Sequence, residues 1–276
     1  MGLGHPASTM SPYIDYVFGQ SQLYQPPAFV TEKFIIDDSP YRFIPVMTKE
    51  QVLAQPVSRR EAGDDRPLRI AIVGTRQKIT APFLSLLQTI EQESPHPLHF
   101  SFHLGTAGLD TLHMQQSFKG MFKNFTFHGY QSYEAYFTAM QTAELVLNPF
   151  PFGHTNTLID TLLLGKPSVG LTGIEPSART ELYVLNAVGL ADRYTANSLD
   201  EYKTRALNFI DEIRRGAIAP IDRAAVYDAL YKAQDVGDYG AMIKWIVDNH
   251  AQLKTSPRRA FKAFEPLEEI SQAQAQ

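Results

Sequence analysis

The sequence contains no cysteine, which excludes a disulfide framework and any thiolate metal site. It has no basic stripe either. Its 25 lysines and arginines are mixed along the chain with 29 acidic residues, for a formal charge of −4. Nucleic acid is therefore not an expected partner, and a ligand bearing phosphates would have to be held by a few local groups rather than by a general field. Long apolar runs are also missing. Stretches such as Leu145–Leu147 and Leu162–Leu164 fall far short of the roughly 20 residues that span a bilayer. The opening MGLGHPASTM offers neither the basic nor the apolar region of a signal peptide, and Pro6 stands where a myristoylation signal wants Ser or Thr. No solenoid repeat or low-complexity segment is visible. The expectation is a soluble cytoplasmic protein with no membrane partner.

What is present is a core. Hydrophobic residues make up 44% and charged residues 20% of 276 positions, the balance of a globular chain with one large α/β domain or two small ones. Tyr13–Phe18, Lys33–Ile36 and Phe43–Met47 read as short strands in a Pro- and Tyr-rich opening. Residues 48–67, TKEQVLAQPVSRREAGDDRP, are polar and charged and read as a linker. A regular alternation follows: strands at Leu68–Val73, Leu98–Leu104, Phe125–His128, Glu144–Asn148 and Pro167–Leu171, with helical periodicity between them and on to about Lys254. The last residues, 256–276, read as a loose tail. Strand and helix in this order predict a Rossmann-like, doubly wound parallel sheet, in which ligands bind at the carboxyl ends of the strands. No G-x-G-x-x-G follows the first of these strands, which counts against a dinucleotide-dependent dehydrogenase.

The strand-end loop with the most distinctive chemistry is NPFPFGHTNTLID, Asn148 to Asp160. Its prolines stiffen the turn, and Gly153 allows the backbone to approach a ligand. Thr155 or Asn156 can cap the helix that carries Leu158, Ile159, Leu162 and Leu163 inward. Free N–H groups and the dipole at that helix start suit a diphosphate. Asp160, one turn further in, is placed to accept two hydrogen bonds from a ribose diol. The alternative is a well-capped turn with Asp160 in solvent.

This segment closely resembles the NPFPFGNTN-type motif of the bacterial cytoplasmic N-glucosyltransferases that modify adhesins, which belong with the O-GlcNAc transferases to one inverting glycosyltransferase family of GT-B fold. GHPASTMSPYIDYV, from Gly4, is similar to the family's GHPAT-type segment, and TGIEPSARTELYVLNAVGL, from Thr172, resembles its TG-E loop and following helix. Order and spacing agree across all three. The resemblance implies the C-terminal, nucleotide-sugar-binding half of a GT-B glycosyltransferase: a metal-independent enzyme that needs no cofactor, takes a UDP-sugar as donor, and passes glucose or N-acetylglucosamine to Asn or Ser/Thr side chains of a protein or peptide acceptor.

Carried over by position, the resemblance gives Thr75 and Lys78 the diphosphate, with Lys78 the catalytic group that stabilises charge on the departing UDP. Arg76 could share that task. His154, Thr155 and Asn156 would also hold the diphosphate and Asp160 the ribose. His128, Tyr130 and Gln131 form the loop for the uracil ring, with backbone contacts expected and His128 or Tyr130 beside the base; the equal alternative for His128 is a strand-end histidine satisfied by backbone. Thr106 lies in the loop near the sugar, where the bacterial enzymes have Gln, which leaves the sugar open. Gly173 and Glu175 could reach the sugar hydroxyls, although an exposed loop glutamate is the plainer reading of Glu175. His5 either faces the acceptor or bonds to backbone in its turn. Residues 1–47 are expected to be a remnant of the N-terminal GT-B domain, 48–67 the linker and 68–255 the donor domain. The rest of the N-terminal half is missing, so the expectation is a fragment of a longer enzyme. The competing reading is a non-catalytic nucleotide-sugar-binding domain that needs a partner chain.

Overall fold

A computed structural model describes residues 13–19, 32–36, 43, 45–57, 60–61, 63–173, 179–231 and 239–267. In chain order its elements are β1 (Tyr16–Gly19), β2 (Lys33–Ile36), α1 (Lys49–Ala54), β3 (Leu68–Val73), a 3₁₀ turn at Arg76–Lys78, α2 (Ala81–Glu93), β4 (Leu98–His103), α3 (Leu109–Phe118), β5 (Phe125–His128), α4 (Tyr133–Gln141), β6 (Leu145–Leu147), α5 (Thr155–Leu163) and β7 (Ser168–Leu171). Then follow α6 (Thr180–Ala187), α7 (Ala191–Tyr194), β8 (Thr195–Ala196), α8 (Leu199–Arg214), α9 (Arg223–Leu230), α10 (Tyr239–Asp248), α11 (His250–Thr255) and β9 (Ala260–Lys262). The chain divides into two compact units, Ile44–Tyr231 and Met1–Phe43 with Lys232–Gln276. Among the described residues no helix is long and apolar enough to cross a membrane.

The larger unit holds a parallel sheet in the order β5-β4-β3-β6-β7-β8. This is the Rossmann-like α/β architecture of the sequence reading. β3, LRIAIV, is buried at every position but Arg69, as a central strand covered on both faces must be. Thr80 caps α2 by accepting from the Phe83 N–H, and Phe83, Leu86, Leu87 and Ile90 fall on its buried stripe. Phe100 and Phe102 of β4 pack against Phe118 and Phe122 beyond them, with Phe102 and Phe118 ring centroids 4.6 Å apart. Each such buried ring stabilises by roughly 1.5–3 kcal/mol. The strand order reverses between β3 and β6, whose other neighbours are β4 and β7, so the crevice between their carboxyl ends is the switch point where such sheets bind ligands.

The smaller unit carries a parallel sheet in the order β1-β2-β9. Ile35, Met242, Ile246, Leu253 and Phe261 form its buried cluster.

Four expectations are corrected here. Residues 48–67 are not a bare linker, because α1 lies inside them. Thr48 and Gln51 form a reciprocal capping box and Val52 is buried. Downstream, Arg60 binds both carboxylate oxygens of Glu144 at 2.7 and 2.8 Å. The tail is not loose throughout, since β9 pairs with β2 and buries Phe261. The larger unit also ends at Tyr231 rather than running to 255 as expected of the donor domain, because α10 and α11 pack with β1, β2 and β9. Pro45 to Met47 form no strand. Length explains the miss at β9, which has three residues, too few for periodicity to register.

Candidate functional site

The loops leaving β3 and β6 are tied together at three places. Lys78 Nζ donates to the Gly153 carbonyl at 2.8 Å. The Thr80 hydroxyl donates to the Phe150 carbonyl at 3.2 Å. Gly74 lies against the His154 ring so closely that a Cβ there would sit 2.8 Å from Nε2. Only glycine fits at that contact. Lys78 thus stands on one side of the switch point and the turn into α5 on the other.

His154 occupies the position before α5 and makes no side-chain cap. The sequence expectation that Thr155 or Asn156 caps this helix is therefore not met; both lie in its first turn. The first N–H groups of a helix have no intrahelical partner, and no side chain among the described residues caps them here. With the dipole they present positive potential to the crevice. His154 itself is uncharged, because burial, helped by the Lys78 charge, pushes it down to about 3. Its Nε2 has no hydrogen-bond partner among the described residues.

Beneath the turn sits Glu181, at the start of α6. One of its oxygens accepts the His154 N–H at 2.6 Å. A Cβ on Gly170 would overlap its carboxylate, and one on Gly153 would lie 3.1 Å from it. Burial raises Glu181 to about 7, opposed by the His154 N–H and by the Lys78 charge. Lys78 is half-buried, and desolvation lowers its proton affinity while Glu181 raises it. Lys78, the loop and Glu181 thus form one electrostatic unit.

On the side of the crevice toward α4, the Tyr133 hydroxyl donates to Asp160 at 2.9 Å. Asp160 is raised to about 6 by burial, with Tyr133 acting against that rise. Ser132 caps α4 through the Ala135 N–H, and this fixes the preceding loop. There Tyr130 is exposed, and Gln131 Oε1 lies 2.9 Å from His103 Nδ1. His128 Nε2 lies 3.0 Å from the Ser101 hydroxyl.

The predicted residues do not all converge. Thr75, Lys78, His154, Thr155 and Asn156 line the β3–β6 crevice, and Asp160 follows on α5. Thr106 is turned inward: its hydroxyl lies 3.0 Å from that of Thr111, and its carbonyl accepts the Tyr130 N–H at 2.7 Å. These contacts join it to the loop at His128. Arg76 is drawn away to Asp110 of α3 at 3.0 Å. His5 and Glu175 lie outside the described residues, and Gly173 accepts from Arg179 at 3.3 Å. Reading the sequence missed Glu181, His103 and Tyr133. Gly170 inside a strand was the available signal for Glu181, since a glycine there marks a close approach.

No family model matches the chain. Two UDP-glucose:protein N-β-glucosyltransferases of Actinobacillus pleuropneumoniae, from serotypes 7 (strain AP76) and 5b (strain L20), are each 27% identical over 214 residues, 76% of this chain and 34% of theirs. The chain thus spans about a third of the length of the curated relatives it matches. Among solved structures, a point variant of the O-GlcNAc transferase of Thermobaculum terrenum superposes with a TM-score of 0.56 at 17% identity, over 87% of this chain and 45% of that one. That likeness is one of fold.

Proposed function

Starting from a chain with the sequence relatives and the fold of GT-B glycosyltransferases, we propose that it is the donor-binding portion of a UDP-sugar-dependent, inverting protein glycosyltransferase. The observation that carries this reading is the Lys78–Gly153 bond beside the uncapped start of α5. An ammonium and several free N–H groups face one crevice at the sheet's switch point, which is the charge pattern a diphosphate needs. Asp160 takes the ribose diol. Its link to Tyr133 of α4 supports a nucleoside on that side, toward the loop of His128, Tyr130 and Gln131.

In the reaction, an acceptor side chain of a protein or peptide attacks the anomeric carbon as the bond to the β-phosphate oxygen breaks. Lys78 exchanges the Gly153 carbonyl for the diphosphate and stabilises the negative charge that grows on it. The helix dipole and the Thr75 and Thr155 hydroxyls add to this. These donors supply the positive potential for which other transferases use a bound cation. Glucose and N-acetylglucosamine are the proposed sugars, and acceptor binding belongs to the remainder of a longer enzyme.

Calorimetric titration with UDP tests the reading. The wild-type chain is expected to bind, Lys78→Ala to weaken binding by about tenfold or more, and Asp160→Ala to weaken it separately. A folded wild-type chain that ignores UDP would refute the proposal. Transfer assays with UDP-glucose, UDP-N-acetylglucosamine and UDP-galactose then identify the sugar.

A further inference from the structure

One face of the β4–β5 pair carries a line of polar side chains. His99, Ser101 and His103 alternate along β4 and so share that face. The register sets Ser101 beside Thr126 and His103 beside His128. The rings of His103 and His128 stack, with centroids 4.2 Å apart and planes 4° from parallel. Between them, Ser101 Oγ lies 3.2 Å from His103 Nε2 and 3.0 Å from His128 Nε2.

Proton counting fixes the direction of this relay. A serine hydroxyl has one proton, so it can donate to one imidazole and must accept from the other. Gln131 presents Oε1, an acceptor, to His103 Nδ1, so His103 carries its proton on Nδ1 and leaves Nε2 bare. Ser101 donates to that bare nitrogen and accepts from His128, which must then hold its proton on Nε2. Burial pushes His103 down to about 4 and lowers His128 as well, so both rings are neutral and neither can donate from both nitrogens. No hydrogen bond to His128 Nδ1 forms among the described residues.

We propose that Ser101 and His103 are positioning residues that hold His128 in its Nε2–H tautomer, so that its Nδ1 lone pair accepts the N3–H of uracil and disfavours cytosine. The inference rests on the donor reading above, which brings the base to this loop. Uracil offers an N–H at position 3 between two carbonyls, whereas cytosine has a lone pair there. Two acceptors facing each other leave both without a partner, and that is the arrangement by which a site rejects a close analogue.

The test joins a spectroscopic and a binding measurement on the whole chain. Nitrogen NMR of the histidine rings is expected to report His128 protonated on Nε2. Calorimetry is expected to show UDP binding tighter than CDP by about tenfold or more. Ser101→Ala removes the relay without touching the base: the His128 proton should redistribute and the UDP-to-CDP ratio should narrow about tenfold, while Ser101→Thr restores both. Gln131→Glu reaches the same proton from the other end. A carboxylate favours doubly protonated His103, whose Nε2–H would turn the Ser101 hydroxyl toward His128 and move that ring's proton to Nδ1, so the preference for UDP is again lost. An Nδ1–H tautomer in the wild type, a ratio unmoved by Ser101→Ala and Gln131→Glu, or tighter binding of CDP would each overturn the relay. If the wild type binds no UDP, the donor reading falls and takes this inference with it; binding with the wrong tautomer overturns the relay alone.

Discussion

Glu181 gives the sharpest quantitative test of the loop architecture. Its carboxyl is raised from the ordinary 4.5 to about 7 by burial between the NPFPFG turn and β7. A raised carboxyl favours the fold while protonated. Its contribution is complete below the unfolded value and is lost as pH rises through the folded one. At about 1.36 kcal/mol per tenfold change in proton affinity, ionising Glu181 in place costs on the order of 3 kcal/mol, most of which falls between pH 5 and 8. The charged group that faces it is Lys78. Glu181→Gln keeps the shape and the acceptor for the His154 N–H but cannot ionise. Urea unfolding of both proteins at pH 5 and pH 8 isolates the group. Other titrations, including those of His103, His154 and Asp160, cancel in the difference. The wild type should lose roughly 2 to 3 kcal/mol more than Glu181→Gln over that interval. Equal losses in the two proteins would show that Glu181 ionises without penalty and that the burial argument is wrong.

Two other perturbations address the packing directly. Gly170→Ala places a methyl group where the Glu181 carboxylate lies and should destabilise by about 1–3 kcal/mol; thermal unfolding of Gly170→Ala with Glu181→Ala should recover part of that loss, because the overlap is gone. Phe261→Ala removes a buried ring from the three-residue strand β9 and should cost about 3–5 kcal/mol, read as faster proteolysis of the unit that contains β1 and β2.

The alternation of strand and helix was legible because β3, β4 and the helices after them each follow a single period long enough to count. The α5 turn was legible from its prolines, glycine and Asp160. What escaped notice was set by contacts between segments far apart in the chain. The ionisation behaviour of Glu181 depends on Gly153 and Gly170, which let the backbone approach its carboxylate. The surroundings of Thr106 are likewise set by Thr111 and by the N–H of Tyr130. A local window does not contain such partners. The capping box at Thr48 and Gln51 was different: its pattern was present, but the surrounding charge and prolines made the segment read as a linker.

The two raised carboxyls on either side of the crevice have opposite consequences for donor binding. If Asp160, at about 6, holds the ribose diol as proposed, it does so best as a carboxylate, so donor affinity should fall as pH drops through 6. The phosphates oppose its ionisation, but they lie further off than the hydroxyls that bond to it. Glu181, at about 7, makes no contact with the ribose and senses the diphosphate charge through Lys78 and the start of α5. An anion bound there favours protonated Glu181, so affinity should also fall as pH rises through 7. UDP-glucose is the right probe, because its diesterified diphosphate does not titrate in this range, whereas a terminal phosphate does near 6. Its affinity should therefore peak between about 6 and 7, with limbs of up to tenfold per pH unit. Asp160→Asn should flatten the acid limb alone and Glu181→Gln the alkaline limb alone. A profile in which either variant removes both limbs would mean that the two carboxyls titrate as one coupled pair, and the separate assignment of ribose and diphosphate would fail.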